Sequence, residues 1–254
     1  MDSFPTWSIA AVNLPEHADN PVHTDAGGRA AGYTGAVVAG TTVLAYLTRP
    51  VAAAWGHEWV TNGGYDVWFR GPVLADELVT VSGGPEAGVT ARVDDRHCAR
   101  LAPVAHAEPP PPPQGTRLDP TVVVLDERWT TYAERAGEDL SLYAEANLVH
   151  PVVWPSLANR VFAQQLVTGS WIHTRSAVRH LGTPRPVDSA VVRPRPVDSA
   201  VVRPRSGDTV VIEAWEIDRF ETRAGDRAVV DLRMTVDDIE VCAVEHEAVV
   251  RLAE

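Results

Sequence analysis

Residues 16–25 form a dense cluster of ionisable side chains directly ahead of an apolar segment. Within it, Asp19 and His23 are four residues apart and are separated by Asn20 and Pro21. Proline fixes its own φ angle and disfavours helix in the residue before it, so we expect an extended, held loop here. A carboxylate and an imidazole on such a loop can activate one water molecule by acid–base catalysis. The alternative interpretation makes Asp19 and Asn20 caps of a helix or turn and His23 a packing residue.

Other histidines and both cysteines carry weaker signals. His173 and His180 lie in or beside a predicted strand, where a packing or surface role is expected. The segment 245–247, Glu-His-Glu, alternates between the two faces of a strand and needs no metal to explain it. Cys98 and Cys242 are far apart, which is typical of small apolar core residues in a reducing compartment. No metal and no cofactor are therefore expected, since no group has ligand spacing.

The composition excludes several classes of protein. All 22 basic residues are arginine, so neither a Schiff-base lysine nor a phosphate-loop lysine exists in this sequence. With 34 acidic residues the net charge is 22 − 34 = −12, which argues against a nucleic-acid partner. The first residues lack the pattern of a signal peptide, and the longest apolar stretch, 36–47, is too short to cross a membrane. We therefore expect a cytoplasmic protein without a membrane partner.

Five consecutive prolines, Pro109–Pro113, divide the chain near its middle. Proline has no backbone N–H to donate to a strand partner, and a run of it favours a stiff, extended segment. We predict an N-terminal unit over 1–107, a proline-rich linker over 108–120, and a C-terminal unit over 121–254. The similar lengths of the two units indicate a duplication.

Each predicted unit has helical segments followed by strands. Helices are expected at Arg29–Ala54, Trp129–Glu134 and Ser156–Val167, the last with Ser156 as its N-cap. Strands are expected at 65–70, 78–81, 89–93, 99–104, 121–125, 172–178, 209–217, 228–236 and 241–252. A helix followed by antiparallel strands, twice, predicts an α+β fold. Residues 185–194 are repeated letter for letter at 195–204, and this proline-flanked copy is expected to be an extended surface excursion without a catalytic role.

The segment Asn20-Pro21-Val22-His23, followed by residues 29–33 and 37–40, resembles the MaoC-like hydratase/dehydratase family of R-specific enoyl-CoA hydratases. The family signature reads Gly-Asp-x-Asn-Pro-(aliphatic)-His. Residues 132–143 and 150–151 resemble the second copy of a double hot-dog. The resemblance implies two units, each with a central helix wrapped by an antiparallel sheet, which together form one continuous sheet. It also implies a thioester substrate, either acyl-CoA or acyl-carrier protein, with the pantetheine arm between the units.

In this resemblance His23 matches the family histidine and Asn20 its asparagine. Gly40 matches the glycine whose N–H polarises the thioester carbonyl, although Ala39 replaces the usual histidine. The family aspartate position is occupied by Ala18.

The acid of the family dyad is therefore displaced. His17 stands at the family glycine, and Asp19 comes one residue too late. On an extended loop a slip of one residue turns a side chain to the opposite side. Either the loop is re-registered and Asp19 serves, or the dyad is broken. Asp139 and His150 offer a substitute pair in the second half, but their spacing of eleven does not match the family dyad, and a half that only covers the substrate is the alternative.

The resulting function hypothesis is a hydratase or dehydratase acting on 2-enoyl or 3-hydroxyacyl thioesters, with His23 and Asp19 as catalytic residues and Asn20 and Gly40 in binding. One alternative is isomerisation or Michael-type ring closure on a polyketide acyl chain, which the replacement at position 18 favours. Another is a non-catalytic subunit that binds acyl chains or completes a partner's site. A thioesterase on the same fold is a further alternative. A homodimer formed through sheet edges or helices is also expected.

Overall fold

The computed structural model describes residues 3–167, 169–182 and 203–253. Its main element is a large antiparallel sheet that packs against two longer helices. The strands are β1 (Phe4–Ala10), β2 (Gly64–Phe69), β3 (Leu78–Gly84), β4 (Gly88–Val93), β5 (Arg96–Val104), β6 (Thr116–Arg117), β7 (Thr121–Val124), β8 (Ile172–His180), β9 (Thr209–Thr222), β10 (Gly225–Val236) and β11 (Ile239–Leu252). The helices are α1 (Asp25–Ala30), α2 (Gly40–Asn62), α3 (Tyr132–Arg135), α4 (Leu142–Ala146) and α5 (Val153–Gln165).

The strands form one continuous sheet in the order β1-β3-β4-β5-β2-β8-β11-β10-β9-β6, and β7 also pairs with β9. Strands that precede the proline segment lie on one side, and strands that follow it lie on the other. The two sides are joined by β2 and β8, which pair antiparallel from Gly64 opposite Arg179 to Trp68 opposite Arg175. Because this pairing satisfies backbone hydrogen bonds across the junction, the two halves share a single sheet.

Helix α2 is the central helix of the first half. Its Leu44, Leu47 and Val51 are completely buried, at the three- and four-residue spacing that places side chains on one helix face. Burial of each such side chain contributes about 1.5–3 kcal/mol. Pro50 lies inside the helix, and Gly56 departs from helical geometry with φ 64° and ψ −156°. Helix α2 therefore changes direction at Gly56, and the segment that follows it still reaches the core through the buried Trp59.

The predicted start of the helix at Arg29 is wrong, and the observed helix α2 extends beyond the predicted end at Ala54 to Asn62. Residues 31–39 form turns and an isolated bridge, and α2 begins only at Gly40. Val38 donates its N–H to the carbonyl of Val73, and Val37 forms a bridge with Leu74. These long-range hydrogen bonds compete with helical ones, so the apolar pattern of this stretch reflects burial rather than helix.

Helix α1 packs against the segment that carries the predicted catalytic residues. A Cβ at Gly27 would lie 1.9 Å from the carbonyl oxygen of Pro21, and one at Gly28 would lie 2.1 Å from that of Gly35. Only glycine permits such close approach of two backbones. The pair Gly27-Gly28 therefore lets α1 sit directly on the turn at Pro21.

Helix α5 is the central helix of the second half and packs against β8 and β11. It begins at Val153, three residues before the predicted start. The prediction of Ser156 as N-cap is wrong, because its hydroxyl donates to the carbonyl of Val152 within the helix, at 2.7 Å. Pro155 is tolerated in the first turn, where its missing N–H has no helical partner to lose.

The strand predictions are confirmed in position, with extensions and two omissions. Strand β1 was not predicted; it pairs with β3 at one edge of the sheet. Strand β6 lies within the predicted linker, where it pairs with β9. Strand β9 runs to Thr222, well beyond the predicted end, because it pairs along its length with β10. The proline segment is tied to the sheet where Arg233 donates to the carbonyl of Pro111, at 2.7 Å.

The tandem repeat at 185–204 lies almost entirely outside the described residues, which end at 182 and resume at 203. Within the described part of the chain, no helix has the length and apolar character needed to cross a membrane.

Candidate active site

A cavity of about 750 Å³ has walls from both halves of the chain. The first half contributes the turns before α1, the start of α2 and the end of β2. The second half contributes α5 and the start of β8. This volume is in the usual range for small-molecule sites. Four residues predicted from the sequence, Asp19, Asn20, His23 and Gly40, all line this cavity.

His23 ends a short 3-10 helix, Pro21–His23, and its ring is oriented by the backbone. The ring Nδ1 lies 2.7 Å from the carbonyl oxygen of Val37. A carbonyl can only accept, so Nδ1 carries the proton and Nε2 presents its lone pair. Within the described part of the chain Nε2 has no hydrogen-bond partner, and it is not a buried atom, so it is accessible from the cavity that His23 lines. Burial lowers the pKa of His23, which the Val37 hydrogen bond offsets only in part.

Asn13 holds this arrangement together from outside the cavity. Its Nδ2 donates to the carbonyl of Val37 at 3.0 Å and to that of His23 at 3.3 Å. Its Oδ1 accepts from the N–H of Ala39 at 3.1 Å. One carboxamide thus links the turn that carries His23, the carbonyl of Val37 and the residue before α2. Asn13 could not be identified from local sequence, because its three contacts are 10, 24 and 26 residues away.

The predicted extended loop is in fact a series of tight turns. Short 3-10 helices span Pro15–His17 and Pro21–His23, and the N–H of Asn20 bonds to the carbonyl of His17 between them. With about three residues per turn, side chains three apart fall on the same side. His17, Asn20 and His23 have this spacing, and all three line the cavity. In this conformation a shift of one residue does not turn a side chain to the opposite side, as it would on an extended strand.

His17 is the neighbour that the structure gives to His23. The two rings are 6.1 Å apart between centroids. His17 Nε2 lies 3.1 Å from the Tyr132 hydroxyl and 3.5 Å from that of Thr41, and Tyr132 continues at 3.1 Å to the hydroxyl of Thr42. Burial, and then the nearby His23, lower the pKa of His17 to about 4. Two neutral imidazoles therefore face one cavity, a pairing that the sequence reasoning missed although their spacing of six was visible.

Asp19 and Asn20 have different environments. Asp19 is exposed on the cavity wall, and its side chain makes no hydrogen bond or ion pair with any described residue. Asn20 is buried and donates from Nδ2 to the carbonyl of Trp171 at 3.0 Å, which ties the turn to the approach of β8. Ala18 is exposed and does not line the cavity. Asn20 therefore positions the turn, while Asp19 is free to meet a ligand or solvent.

The first residues of α2 present unpaired backbone donors to the cavity. Ala39 has an extended conformation and caps no N–H with its side chain. The N–H groups of Gly40 and Thr41 have no hydrogen-bond partner among the described residues, and both residues line the cavity. Unpaired N–H groups and the positive end of the helix dipole stabilise an oxygen that gains negative charge.

The substitute pair in the second half is not formed. Asp139 is an exposed residue, with 77% of its side chain accessible, and it pairs with Arg49. His150 is completely buried and lies 3.6 Å from Glu138, whose pKa is raised by desolvation. The chain between them contains a helix and turns that separate the two environments. None of the described residues forms a group of three or more side chains able to hold a metal ion.

The two β8 histidines have different positions. His180 is buried, with Nδ1 donating to the carbonyl of Trp59 at 3.0 Å, and it does not line the cavity. His173 is also buried but lines the cavity beside Gly40.

Arginine side chains surround the cavity mouth in a chain of net charge −12. Arg128 and Arg227 pair with Asp126 and Glu247. Arg70 and Arg160 are exposed and have no ion pair among the described residues. Two unneutralised guanidinium groups at a cavity entrance favour an anionic ligand, with phosphate as a well-matched partner.

Solved structures share this arrangement over nearly the whole chain. A proposed MaoC-domain dehydratase from Chloroflexus aurantiacus superposes with a TM-score of 0.61 at 10% identity, covering 98% of this chain and 96% of that one. A Mycobacterium tuberculosis protein described as having a double hotdog fold gives 0.61 at 11%, with the same coverage. The chain has a double hot-dog fold. The predicted α+β class, and the single sheet shared by two hot-dog units, are confirmed.

The double hot-dog is used by more than one kind of protein. A proposed oleoyl thioesterase from Lactobacillus plantarum superposes with a TM-score of 0.55 at 12% identity, covering all of this chain and 98% of that one. No protein-family model matches the sequence, and no curated protein matches it. At identities this low the likeness establishes the fold, so the activity must be argued from the site.

Proposed function

We propose that this protein is a hydratase or dehydratase acting on 2-enoyl or 3-hydroxyacyl thioesters of coenzyme A or a carrier protein. The observation that carries the proposal is His23, whose Nδ1–H is committed to Val37 while Nε2 is accessible from the cavity. This neutral base lies in the same cavity as the unpaired N–H groups that begin α2. A MaoC-like dehydratase among the structural neighbours supports the same reaction class.

In the hydration direction, His23 Nε2 takes a proton from a water molecule as its oxygen bonds to C3 of the enoyl thioester. The electrons of the C2–C3 double bond move toward the thioester carbonyl, whose oxygen becomes an enolate. The N–H groups of Gly40 and Thr41 stabilise that oxygen. His23 then returns the proton to C2, which restores the neutral imidazole and completes the addition of water. Dehydration follows the same steps in reverse.

His17 is the second group that holds the water in this mechanism. When the Tyr132 hydroxyl donates to His17 Nε2, the ring carries its proton on Nδ1, which is accessible from the cavity. One imidazole then offers a donor and the other a lone pair, which are the two contacts that orient a water for attack. His17 thus fills the place of the missing family aspartate. Asp19, exposed on the wall, contributes charge near the site without holding the water.

Arg70 and Arg160 supply the substrate contact in this proposal. The pantetheine arm of either carrier ends in a phosphate, and coenzyme A adds further phosphates. Exposed guanidinium groups at the cavity mouth bind such oxygens in a salt-dependent manner. The acyl chain then extends inward along the apolar side chains of the cavity.

The test follows loss of enoyl absorbance with crotonyl-CoA and longer 2-enoyl thioesters. His23→Ala is expected to lower kcat/KM by about 10²–10⁴-fold, the usual loss for a general base. The matched control is His106→Ala, since His106 is exposed and does not line the cavity. Absence of turnover at every chain length, or wild-type rates in His23→Ala, refutes the proposal.

Thioester hydrolysis is the second candidate, and the thioesterase neighbour favours it. A base and an oxyanion site would then direct water at the carbonyl carbon instead of C3. Release of free thiol from saturated acyl-CoA, measured with a thiol reagent, distinguishes the two reactions. Thiol release without hydration of enoyl-CoA supports the thioesterase and excludes the hydratase.

A further inference from the structure

A second set of histidines adjoins the cavity through His173, which lines it beside Gly40. His173 Nε2 is 2.7 Å from the hydroxyl of Ser176, and that hydroxyl is 2.8 Å from Nδ1 of His246. The two histidines come from the neighbouring strands β8 and β11. All three side chains are buried, with 7% of His173 exposed and none of Ser176 or His246. The proposed reaction does not use them.

The ring of His173 packs against two other rings. It stacks on His246, with centroids 4.1 Å apart and an interplanar angle of 27°. The ring of Phe69 lies 4.6 Å away, tilted by 55°. With Ser176 fixing Nε2, the imidazole has little freedom to rotate. A group held this way pays little reorganisation when it acts on a ligand.

The remaining nitrogen of His173 faces the start of α2. Nδ1 is buried and has no hydrogen-bond partner among the residues that the structure describes. A Cβ placed on Gly40 would lie 3.4 Å from it, so Nδ1 sits against the glycine whose N–H is unpaired. A buried imidazole nitrogen without a partner costs stability, and such a group in a native structure calls for an explanation. A ligand atom beside Gly40 would supply the missing partner.

The protons in this cluster are coupled. The Ser176 hydroxyl has one hydrogen, so it donates to one ring and accepts from the other. When it donates to His173 Nε2, that ring carries its proton on Nδ1, facing Gly40, and His246 donates from its own Nδ1 to Ser176. When it donates to His246, His173 instead presents a lone pair at Nδ1. A negatively charged oxygen beside Gly40 selects the first state, since only that state offers it a hydrogen.

We propose that His173 is a catalytic residue that donates a hydrogen bond from Nδ1–H to the thioester oxygen, alongside the N–H groups of Gly40 and Thr41. The inference rests on the proposed function. No proton is transferred in this step: the hydrogen stays on Nδ1 while the oxygen gains and loses charge. Ser176 and His246 are positioning residues, which hold the tautomer that makes His173 a donor. Burial keeps His173 neutral by lowering its pKa to about 3, so the donor is present at neutral pH.

The decisive variants are His173→Gln and His173→Asn. The amide nitrogen of glutamine can occupy the place of Nε2 and keep the Ser176 contact, but leaves no donor at the Nδ1 position. The amide nitrogen of asparagine can occupy the place of Nδ1 and keep that donor. With a 2-enoyl-CoA substrate, His173→Gln is expected to lower kcat by about 10²–10³-fold, the usual cost of one oxyanion donor, with KM changed less than about threefold. His173→Asn is expected to recover at least about tenfold of that loss.

Ser176→Ala provides a second readout that does not require a change at the cavity. The variant removes the hydroxyl that selects the tautomer of His173. It is expected to lower kcat with little effect on KM. Two-bond ¹⁵N–¹H spectra of the wild-type protein are expected to show His173 protonated at Nδ1 when a saturated acyl-CoA is bound, and a mixture in Ser176→Ala.

The outcomes separate this inference from the function on which it rests. If the wild type turns over enoyl-CoA and His173→Gln has kcat within twofold of it, the inference is wrong and the hydratase stands. Protonation at Nε2 in the bound wild type also overturns it. If His173→Gln does not fold, the Ser176→Ala kinetics and the wild-type spectra decide the matter. If the wild type turns over no enoyl thioester, the proposed function fails and the inference falls with it.

Discussion

Removal of the Asn13 carboxamide tests whether the orientation of His23 is built by a residue outside the cavity. Asn13→Ala deletes three hydrogen bonds, to the carbonyls of His23 and Val37 and from the N–H of Ala39. Each bond contributes about 1 kcal/mol net, which gives about 3 kcal/mol. Asn13 is only half-buried, so water can replace part of the lost hydrogen bonding in the variant. We therefore expect the free energy of unfolding to decrease by about 2 kcal/mol.

The catalytic effect of the same change acts through the carbonyl of Val37. In Asn13→Ala that oxygen still accepts from His23 Nδ1, but it loses the Asn13 amide donor that fixes its position. We therefore expect kcat to fall about tenfold, which corresponds to a rise of about 1.4 kcal/mol in the activation free energy. Urea unfolding and steady-state kinetics measure the two quantities. The matched control is Gln165→Ala, which deletes two similar amide hydrogen bonds to Asp119, away from the cavity. A fall in stability without a fall in kcat, or equal falls in kcat for both variants, refutes the argument.

Four further predictions concern the same site. His17→Phe removes the second water contact and is expected to lower kcat about 10–100-fold with KM nearly unchanged; an unaltered kcat excludes His17 from the mechanism. The pKa of His23 is lowered from the ordinary histidine value of 6.5, and the base must be neutral to act. We therefore expect kcat/KM to be constant from mildly alkaline pH down to 6.5 and to decrease only at lower pH. A decrease in kcat/KM that begins above pH 6.5 contradicts this prediction. Arg70→Ala combined with Arg160→Ala should raise KM for enoyl-CoA about tenfold at low ionic strength and less at high salt, with kcat retained; a salt-independent effect argues against phosphate binding. Ala18→Asp is expected to give no gain in hydration, since position 18 is exposed and outside the cavity wall, and a clear gain would mean that the turn is re-registered in solution.

The fold was largely predictable because its signals are local. Alternating strand-forming residues located every long strand from β2 onward, and five prolines marked a break between two similar units. Strand β1 escaped prediction because Pro5 and polar neighbours weaken its pattern, while its pairing with β3 supplies the stabilisation that the pattern lacks. The start of α2 was predicted too early because Val37 and Val38 are apolar and resemble a helical pattern. These two residues instead bond to residues 73–74, which lie too far along the chain for a local sequence pattern to include.

The candidate site was predicted in part. His23, Asn20, Gly40 and Asp19 were named from a short segment and a motif, and the structure brings all four into one cavity. Asp19 makes no hydrogen bond or ion pair with a described residue there, whereas consecutive tight turns, which were not predicted, bring His17 beside His23. The same residues can form either consecutive tight turns or an extended loop. The turns are the conformation that packs against α1.

The sequence by itself determined the class of the fold, the absence of lysine chemistry, the acidic charge and the imidazole at position 23, since each is a property of composition or of a few neighbouring residues. Only the tertiary structure decided what surrounds that imidazole. Asn13, His17 and His173 reach the site from a loop, a turn and a strand up to 160 residues apart (173 − 13). The physical reason lies in the pairing of β2 with β8, which brings the two halves of the sheet together around the cavity. The register of that pairing determines which side chains meet there, and register cannot be read from the distance between residues in the sequence.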